Sequence, residues 1–310
     1  MVSMLPAAVE ANGVRHAYGE RVALDGVSFR VERGSFHAFL GPNGSGKSTL
    51  FRLLATLLPL RDGTARVLGM DLRSEIDGIR RRLGVVFQSP ALDRKLPVRA
   101  NLRYGGHLVG MRGRALDQRI DELLEQTGLS ERAGQVVGEL SGGLRRRVEI
   151  AKGLLHRPEL VLLDEPSTGL DPAARADLWR LLRGQQDLTV LLTTHLMDEA
   201  GDADAITILD AGRVVAAGTP DELAGELGGE IIEIRVDDAE SAARSLRETF
   251  GIAATVIDRR VRIEAQRAHE LVPRIVELLG ARVHRLTLAQ PSLEDVFIKR
   301  TGRRLSEDER

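Results

Sequence analysis

In the nine residues Gly41-Pro42-Asn43-Gly44-Ser45-Gly46-Lys47-Ser48-Thr49, the first eight follow the pattern G-x-x-x-x-G-K-[ST]. Glycines at this spacing let successive backbone N–H groups turn inward around an anion. A helix starting near Lys47 aims its positive end at the same point. Lys47 then offers an ammonium to the outer phosphates of a nucleotide, and Ser48 a hydroxyl to Mg²⁺. A second signal is Asp164-Glu165, two adjacent carboxylates closing the apolar run Leu160–Leu163. Like charges side by side are unfavourable unless a cation or donors offset them. Mg²⁺ near Asp164 would do so, leaving Glu165 to orient or deprotonate a water.

These residues need strands behind them. Phe36–Leu40 runs into the glycine loop, Leu160–Leu163 into the carboxylates, and Leu188–Leu192 into Thr193-Thr194-His195. Short runs apolar on both faces predict parallel strands covered on both sides. All three put polar residues at the carboxyl end, where open α/β sheets bind ligands. Between Pro97 and Gly138 the pattern turns helical, with Leu116, Ile120, Leu123 and Leu124 at helical spacing. Ala205–Leu209 and Arg213–Ala216 predict a hairpin around Ala211-Gly212. Past Gly218, Gly225, Gly228 and Gly229 suggest a linker.

The tail predicts strand Ile231–Val236, helix Ala239–Phe250, strands Ala253–Ile257 and Arg260–Ile263, helix His269–Leu279 and strand Ala281–Leu288. That βαββαβ order is ferredoxin-like. A last helix, Leu293–Arg300, follows Ser292 as N-cap. No catalytic cluster stands out there; His269 and His284 read as isolated.

Composition narrows the functions available. With no cysteine, disulfides, Cys-bound zinc and thiol nucleophiles are excluded. The 44 Lys+Arg against 45 Asp+Glu argue against a dedicated nucleic-acid binder. Arg145-Arg146-Arg147 therefore reads as a solvated helix face. No apolar run approaches the roughly 20 residues that span a bilayer, and Met1–Gly13 lacks a signal-peptide pattern. A soluble, cytoplasm-facing chain is expected, with any membrane span supplied by another polypeptide.

Leu140-Ser141-Gly142-Gly143 adds the decisive resemblance. With the Gly41–Thr49 loop, Leu160–Glu165, Gln88 after Val85-Val86-Phe87, Ser167-Thr168-Gly169-Leu170-Asp171 and His195, the chain resembles the ATP-binding cassette ATPases over about its first 220 residues. The tail, ending Pro291-Ser292-Leu293-Glu294-Asp295-Val296-Phe297, is similar to the C-terminal extension of the daunorubicin-resistance and multidrug exporter subgroup.

The resemblance implies an α/β P-loop NTPase core, a mixed sheet with helices on both faces, over residues 1–224. A helical insertion spans about 97–138, and a small α+β ferredoxin-like domain at 225–310 contacts the dimer or permease partner. It implies hydrolysis of ATP to ADP and phosphate in a head-to-tail homodimer. Ser141, Gly142 and Gly143 of one subunit would meet the γ-phosphate held by Lys47 of the other. Tyr18 would stack on adenine, Gln88 touch Mg²⁺ and the attacking water, His195 contact the γ-phosphate, and Asp171 link the two sites.

The implied partner is a separately encoded membrane permease, with the ATPase peripheral on the cytoplasmic face of the cell membrane and no nucleic acid involved. The implied work is export of drugs, lipids or other hydrophobic compounds. Leu92, Leu96, Val98 and Leu102 offer apolar points to the permease, or pack inside the insertion. The alternative is a soluble cassette ATPase acting on DNA, ribosomes or cluster assembly. One departure stands out: Leu144 occupies the position where the family usually has Gln, removing a side-chain amide but no backbone donor.

Overall fold

The computed structural model describes residues 7–305. Residues 1–6, part of the N-terminal stretch read above, and residues 306–310 lie outside the described residues. The chain forms two compact units that divide between Val214 and Val215.

The first unit begins with β1 (Val9–Tyr18), β2 (Arg21–Val31), β3 (Phe36–Leu40), α1 (Lys47–Leu54), β4 (Asp62–Val67) and β5 (Met70–Asp71). It continues through α2 (Ile76–Arg82), β6 (Leu83–Val86), α3 (Val98–Leu108), α4 (Gly113–Gln126) and α5 (Gly142–Gly153). It closes with β7 (Leu160–Asp164), α6 (Pro172–Arg183), β8 (Thr189–Thr194), α7 (Met197–Gly201), β9 (Ala205–Asp210) and β10 (Arg213–Gly218), the last crossing the division.

Two sheets form. One is antiparallel, in the order β2-β1-β4-β5; the other runs β10-β9-β3-β8-β7-β6. In the second, β3, β8, β7 and β6 pair in parallel. Every residue of β3, β7 and β8 is buried, as expected for strands covered on both faces. By contrast, β1 alternates buried and open positions. The core between the sheets is built on Phe39 of β3, which meets Phe29 and Phe51 edge-on with ring centroids 4.9 and 5.8 Å apart.

The helical stretch resolves into α3 and α4 joined by a turn at Gly110, whose φ is 85°. Val98 and Leu102 are completely buried, so they pack inside the insertion and offer nothing to a membrane partner. The apolar side chains that α3 and its end do expose are Tyr104, Leu108 and Val109.

The second unit contains α8 (Pro220–Gly225), β11 (Glu230–Arg235), α9 (Ala239–Phe250), β12 (Ala254–Ile257), β13 (Arg260–Ala265), α10 (Ala268–Leu279), β14 (Arg285–Ala289) and α11 (Leu293–Thr301). Its sheet order, β12-β13-β11-β14, with antiparallel pairs throughout, is the ferredoxin-like arrangement.

Three local expectations are corrected. The linker expected past Gly218 starts as a helix, because Thr219 and Glu222 close a capping box around Pro220. The last strand begins at Arg285, since a 3-10 turn occupies Gly280–Arg282. His269 and His284 are not isolated either: they pair with Glu230 at 2.9 Å and Asp237 at 2.8 Å. In α11, Leu293, Val296, Phe297 and Ile298 are all buried.

One buried titratable group sits within β3. His37 bonds Thr207 Oγ1 at 2.8 Å, and burial lowers its pKa from 6.5 to about 4. A depressed histidine pKa gives stability that is present above the unfolded value and lost as pH falls towards the folded one. Between pH 7 and pH 4.5 the chain should therefore lose roughly 2 kcal/mol more than a His37→Gln variant. Urea denaturation of both proteins at the two pH values checks this. Equal losses in both would contradict a neutral buried imidazole.

Candidate nucleotide site

The glycine loop lies between β3 and α1. Gly46 caps the helix with a φ of 106°, a value costly for any residue with a Cβ. A Cβ there would come within 2.6 Å of the Ala23 carbonyl oxygen, and one at Gly41 within 2.2 Å of that of Leu209. The loop can therefore be followed only by a bare backbone at these two points. Lys47 is buried, and its ammonium donates to the carbonyls of Gly41 at 2.5 Å and Pro42 at 2.9 Å. Burial lowers the Lys47 pKa, while Glu165 and Asp164 oppose that shift. Ser45 Oγ is buried with no hydrogen-bond partner among the described residues. An orphan hydroxyl, a glycine cradle and a lysine held only by backbone oxygens fit a phosphate chain.

Around the loop lies a cleft of about 360 Å³ lined by Tyr18, Asn43, Gly44, Gly46, Lys47, Ser48, Thr49, Gln88 and Glu165. Tyr18 is 44% exposed, and His16 meets its ring edge-on at 4.8 Å, so the ring has area left for a ligand.

At the end of β7, Asp164 Oδ1 accepts from Thr193 Oγ1 at 2.5 Å and from Ser48 Oγ at 3.4 Å. Glu165 then turns sharply, with a φ of 47° that is unusual outside glycine. Its amide is held by Thr193 Oγ1 at 3.0 Å and the Thr193 carbonyl at 3.2 Å. Its carboxylate accepts from Gln88 Nε2 at 3.0 Å and Thr168 Oγ1 at 3.3 Å. His195 Nδ1 stands 3.5 Å from Glu165 Oε1. Ser48, Asp164 and Gln88 form a sparse set of oxygen donors. That suits Mg²⁺, a cation that usually keeps waters and phosphate oxygens as its other ligands.

The predicted residues thus fall into two groups. Tyr18, the loop, Gln88, Asp164, Glu165 and His195 come together. Ser141, Gly142, Gly143 and Asp171 do not line the cleft of their own chain. Ser141 caps α5, its Oγ accepting from Leu144 N at 3.3 Å, and Asp171 caps α6, accepting from Ala174 N at 2.9 Å.

Comparison with known proteins gives the family. A family model described as ABC transporter matches residues 24–168. The daunorubicin resistance ATP-binding protein DrrA3 of Streptomyces coeruleorubidus is 40% identical, covering 96% of this chain and 97% of its own. The chain belongs to the ABC transporter ATP-binding family. Within it, this ABC ATPase also matches the model described as ATP-binding protein DrrA1-3-like, C-terminal domain, over residues 218–301. A Nod factor export ATP-binding protein I of Sinorhizobium fredii is 38% identical over 97% of this chain and 88% of its own. Among solved structures, an ATP-binding subunit of an ABC transporter aligns with a TM-score of 0.65 and 30% identity, over 71% of this chain and 93% of that one. A cassette solved as a dimer in a post-hydrolysis state with ADP and Pi aligns at 0.62 and 28%, over 68% and 98%.

One expectation about this ABC ATPase is overturned. Arg145-Arg146-Arg147 is not a solvated face. Arg146 is buried, and its guanidinium donates to the carbonyls of Phe87 at 2.8 Å, Asp164 at 2.9 Å and Pro166 at 3.0 Å. It also pairs with the buried Glu149 at 2.9 Å. Arg147 reaches Asp177 at 2.7 Å, and Arg145 bonds the Leu140 carbonyl. Arg146 thus ties α5 to the residues just before Gln88 and on both sides of Glu165. The sequence signal for it is the i,i+3 pairing of Arg146 with Glu149. Thr193, which holds both carboxylate residues, carries no comparable signal, because its role depends on parallel register.

Removing one partner of a buried ion pair strands the other, so Arg146→Met should cost about 3 kcal/mol of stability. Chemical denaturation of the two proteins measures it; an unchanged midpoint would contradict the tie.

Proposed function

We propose that two copies of this chain hydrolyse ATP between them and drive export through a separate membrane permease. The observation carrying this reading is the arrangement around Glu165: a carboxylate held by Gln88 and Thr168, beside His195, at the mouth of the glycine loop.

In this reading the loop amides and Lys47 hold the phosphates, and Tyr18 packs on the base. Displacing the Gly41 and Pro42 carbonyls from Lys47 lets its ammonium turn to the outer phosphates. Ser48, Asp164 and Gln88 would hold Mg²⁺, which when bound would offset the phosphate charge. Gln88 and Glu165 position a water, and Glu165 accepts its proton as the water attacks the γ-phosphorus and the bond from that phosphorus to the bridging oxygen breaks, the oxygen leaving with ADP. His195 donates to the γ-phosphate oxygens. Ser141, Gly142 and Gly143 of the second copy cover the other side of that phosphate, and Asp171 sits at the junction. Their absence from their own chain's cleft supports completion by a partner. Leu144 retains the backbone donors of this loop.

The permease would dock by the exposed Tyr104, Leu108 and Val109 beside a groove lined by Phe87, Ser89 and Ala91. Among the described residues no helix is long and apolar enough to cross a membrane; in this reading the chain sits peripherally on the cytoplasmic face, held by the permease. The relatives' names, daunorubicin resistance and Nod factor export, support export as the work, with drugs, lipids or other hydrophobic compounds as the proposed cargo. The second unit would serve as a contact within the dimer or with the permease.

Glu165→Gln keeps the shape and removes the base, so hydrolysis should fall roughly 10²–10⁴-fold, about 3–5 kcal/mol in barrier. Binding of a fluorescent ATP analogue should be retained. Phosphate release at the parent rate would show that Glu165 is not the base.

A further inference from the structure

Two cations line the nucleotide cleft, Lys47 and Arg21. Lys47 already rests on the Gly41 and Pro42 carbonyls. Arg21 opens β2 and is exposed, and among the described residues its guanidinium has neither a hydrogen bond nor an ion pair. Other arginines of this unit have carboxylates: Arg30 takes Glu32, Arg33 takes Glu159 and Arg213 takes Asp25. The one acid lining the cleft, Glu165, accepts instead from Gln88 and Thr168. Arg21 is therefore a free set of charged donors at a site built for an anion.

Its place along the cleft is fixed at both ends. Arg21 stands opposite Tyr18 in the antiparallel pairing of β1 with β2. Directly opposed residues put their side chains on one face, with Cβ atoms roughly 5 Å apart. The guanidinium thus shares a face with the aromatic ring. At its far end, Nη2 lies 3.6 Å from where a Cβ on Gly44 would stand, and Gly44 has a φ of 79°. A glycine there keeps this side of the loop clear for the guanidinium. Arg21 accordingly bridges the ring that packs on the base and the loop that wraps the phosphates. Between the base and the outer phosphate of a nucleotide lie the ribose and the inner phosphates. A planar guanidinium suits two oxygens of one phosphate group.

We propose that Arg21 is a nucleotide-binding residue that donates to the inner phosphates, α and β, while Lys47 serves the outer end. The inference rests on the ATPase reading above. Those phosphates are common to ATP and ADP, so the contact strengthens binding of substrate and product alike and contributes nothing extra to the hydrolytic step.

The test is steady-state ATP hydrolysis by the full chain with Mg²⁺, using ADP as a competitive inhibitor. Arg21→Met should raise KM for ATP and the inhibition constant of ADP by the same factor, about five- to tenfold, with kcat within about twofold of the parent. Arg21→Lys keeps a cation without the planar fork and should fall between the two. Added salt should narrow the gap between parent and Arg21→Met, because an exposed ion pair is screened. A KM for Arg21→Met within about twofold of the parent would overturn the proposal. A loss confined to ATP, with ADP inhibition intact, would also overturn it, since the guanidinium would then serve the γ-phosphate. Urea denaturation midpoints of parent and Arg21→Met should coincide; a lowered midpoint would make the change in KM a structural effect. A parent chain that hydrolyses no ATP defeats the ATPase reading itself, whereas an active parent with unaffected variants defeats only the role of Arg21.

Discussion

Parallel pairing brings the ends of β3, β8 and β7 to one level, with Leu40 opposite Thr194 and Thr193 opposite Asp164. That register sets the distance from the glycine loop to the two carboxylates. Thr193 can bridge Asp164 and the Glu165 amide only because its strand lies beside β7 in this alignment. A slip of one residue would turn every side chain of the strand to the opposite face and bury the catalytic groups. Polar side chains inside these buried strands pin the register, His37 of β3 through Thr207 of β9 and Thr193 of β8 through Asp164 of β7.

The same level concentrates charge that must be managed. Lys47, Asp164 and Glu165 lie close together, with the lysine desolvated and the carboxylates opposing its shift. Backbone carbonyls, two threonine hydroxyls and the Gln88 amide occupy the available bonds. Beneath them Arg146 binds three carbonyls at once, a task its planar fork suits and a lysine could not perform. The result is a hydrogen-bonded floor joining Phe87, Asp164 and Pro166 beneath the site.

Much of this was legible in the chain. The glycine loop declares itself because Gly41 and Gly46 sit where a Cβ meets a carbonyl oxygen, so residue type and geometry coincide. The all-apolar runs marked β3, β7 and β8 and showed which end carries chemistry. The ferredoxin-like order followed from alternating patterns, apart from the late start of β14 at Arg285. What stayed hidden depends on tertiary placement. Arg146 sits in a run of three arginines, and its i,i+3 spacing to Glu149 does not by itself say which of the three is buried. Val98 and Leu102 looked available, yet helix pairing within the insertion covers them. Glu199 sits in a charged stretch, Asp198-Glu199, and nothing local distinguishes the buried acid from the exposed one.

The separation of Ser141–Gly143 from their own cleft makes the central claim one about two chains. Sedimentation velocity of the Glu165→Gln protein with Mg²⁺ addresses it most directly. The account predicts a dimer at saturating ATP and a monomer with ADP, because only the γ-phosphate gives the second copy's loop something to hold. The same sedimentation coefficient with both nucleotides would contradict it.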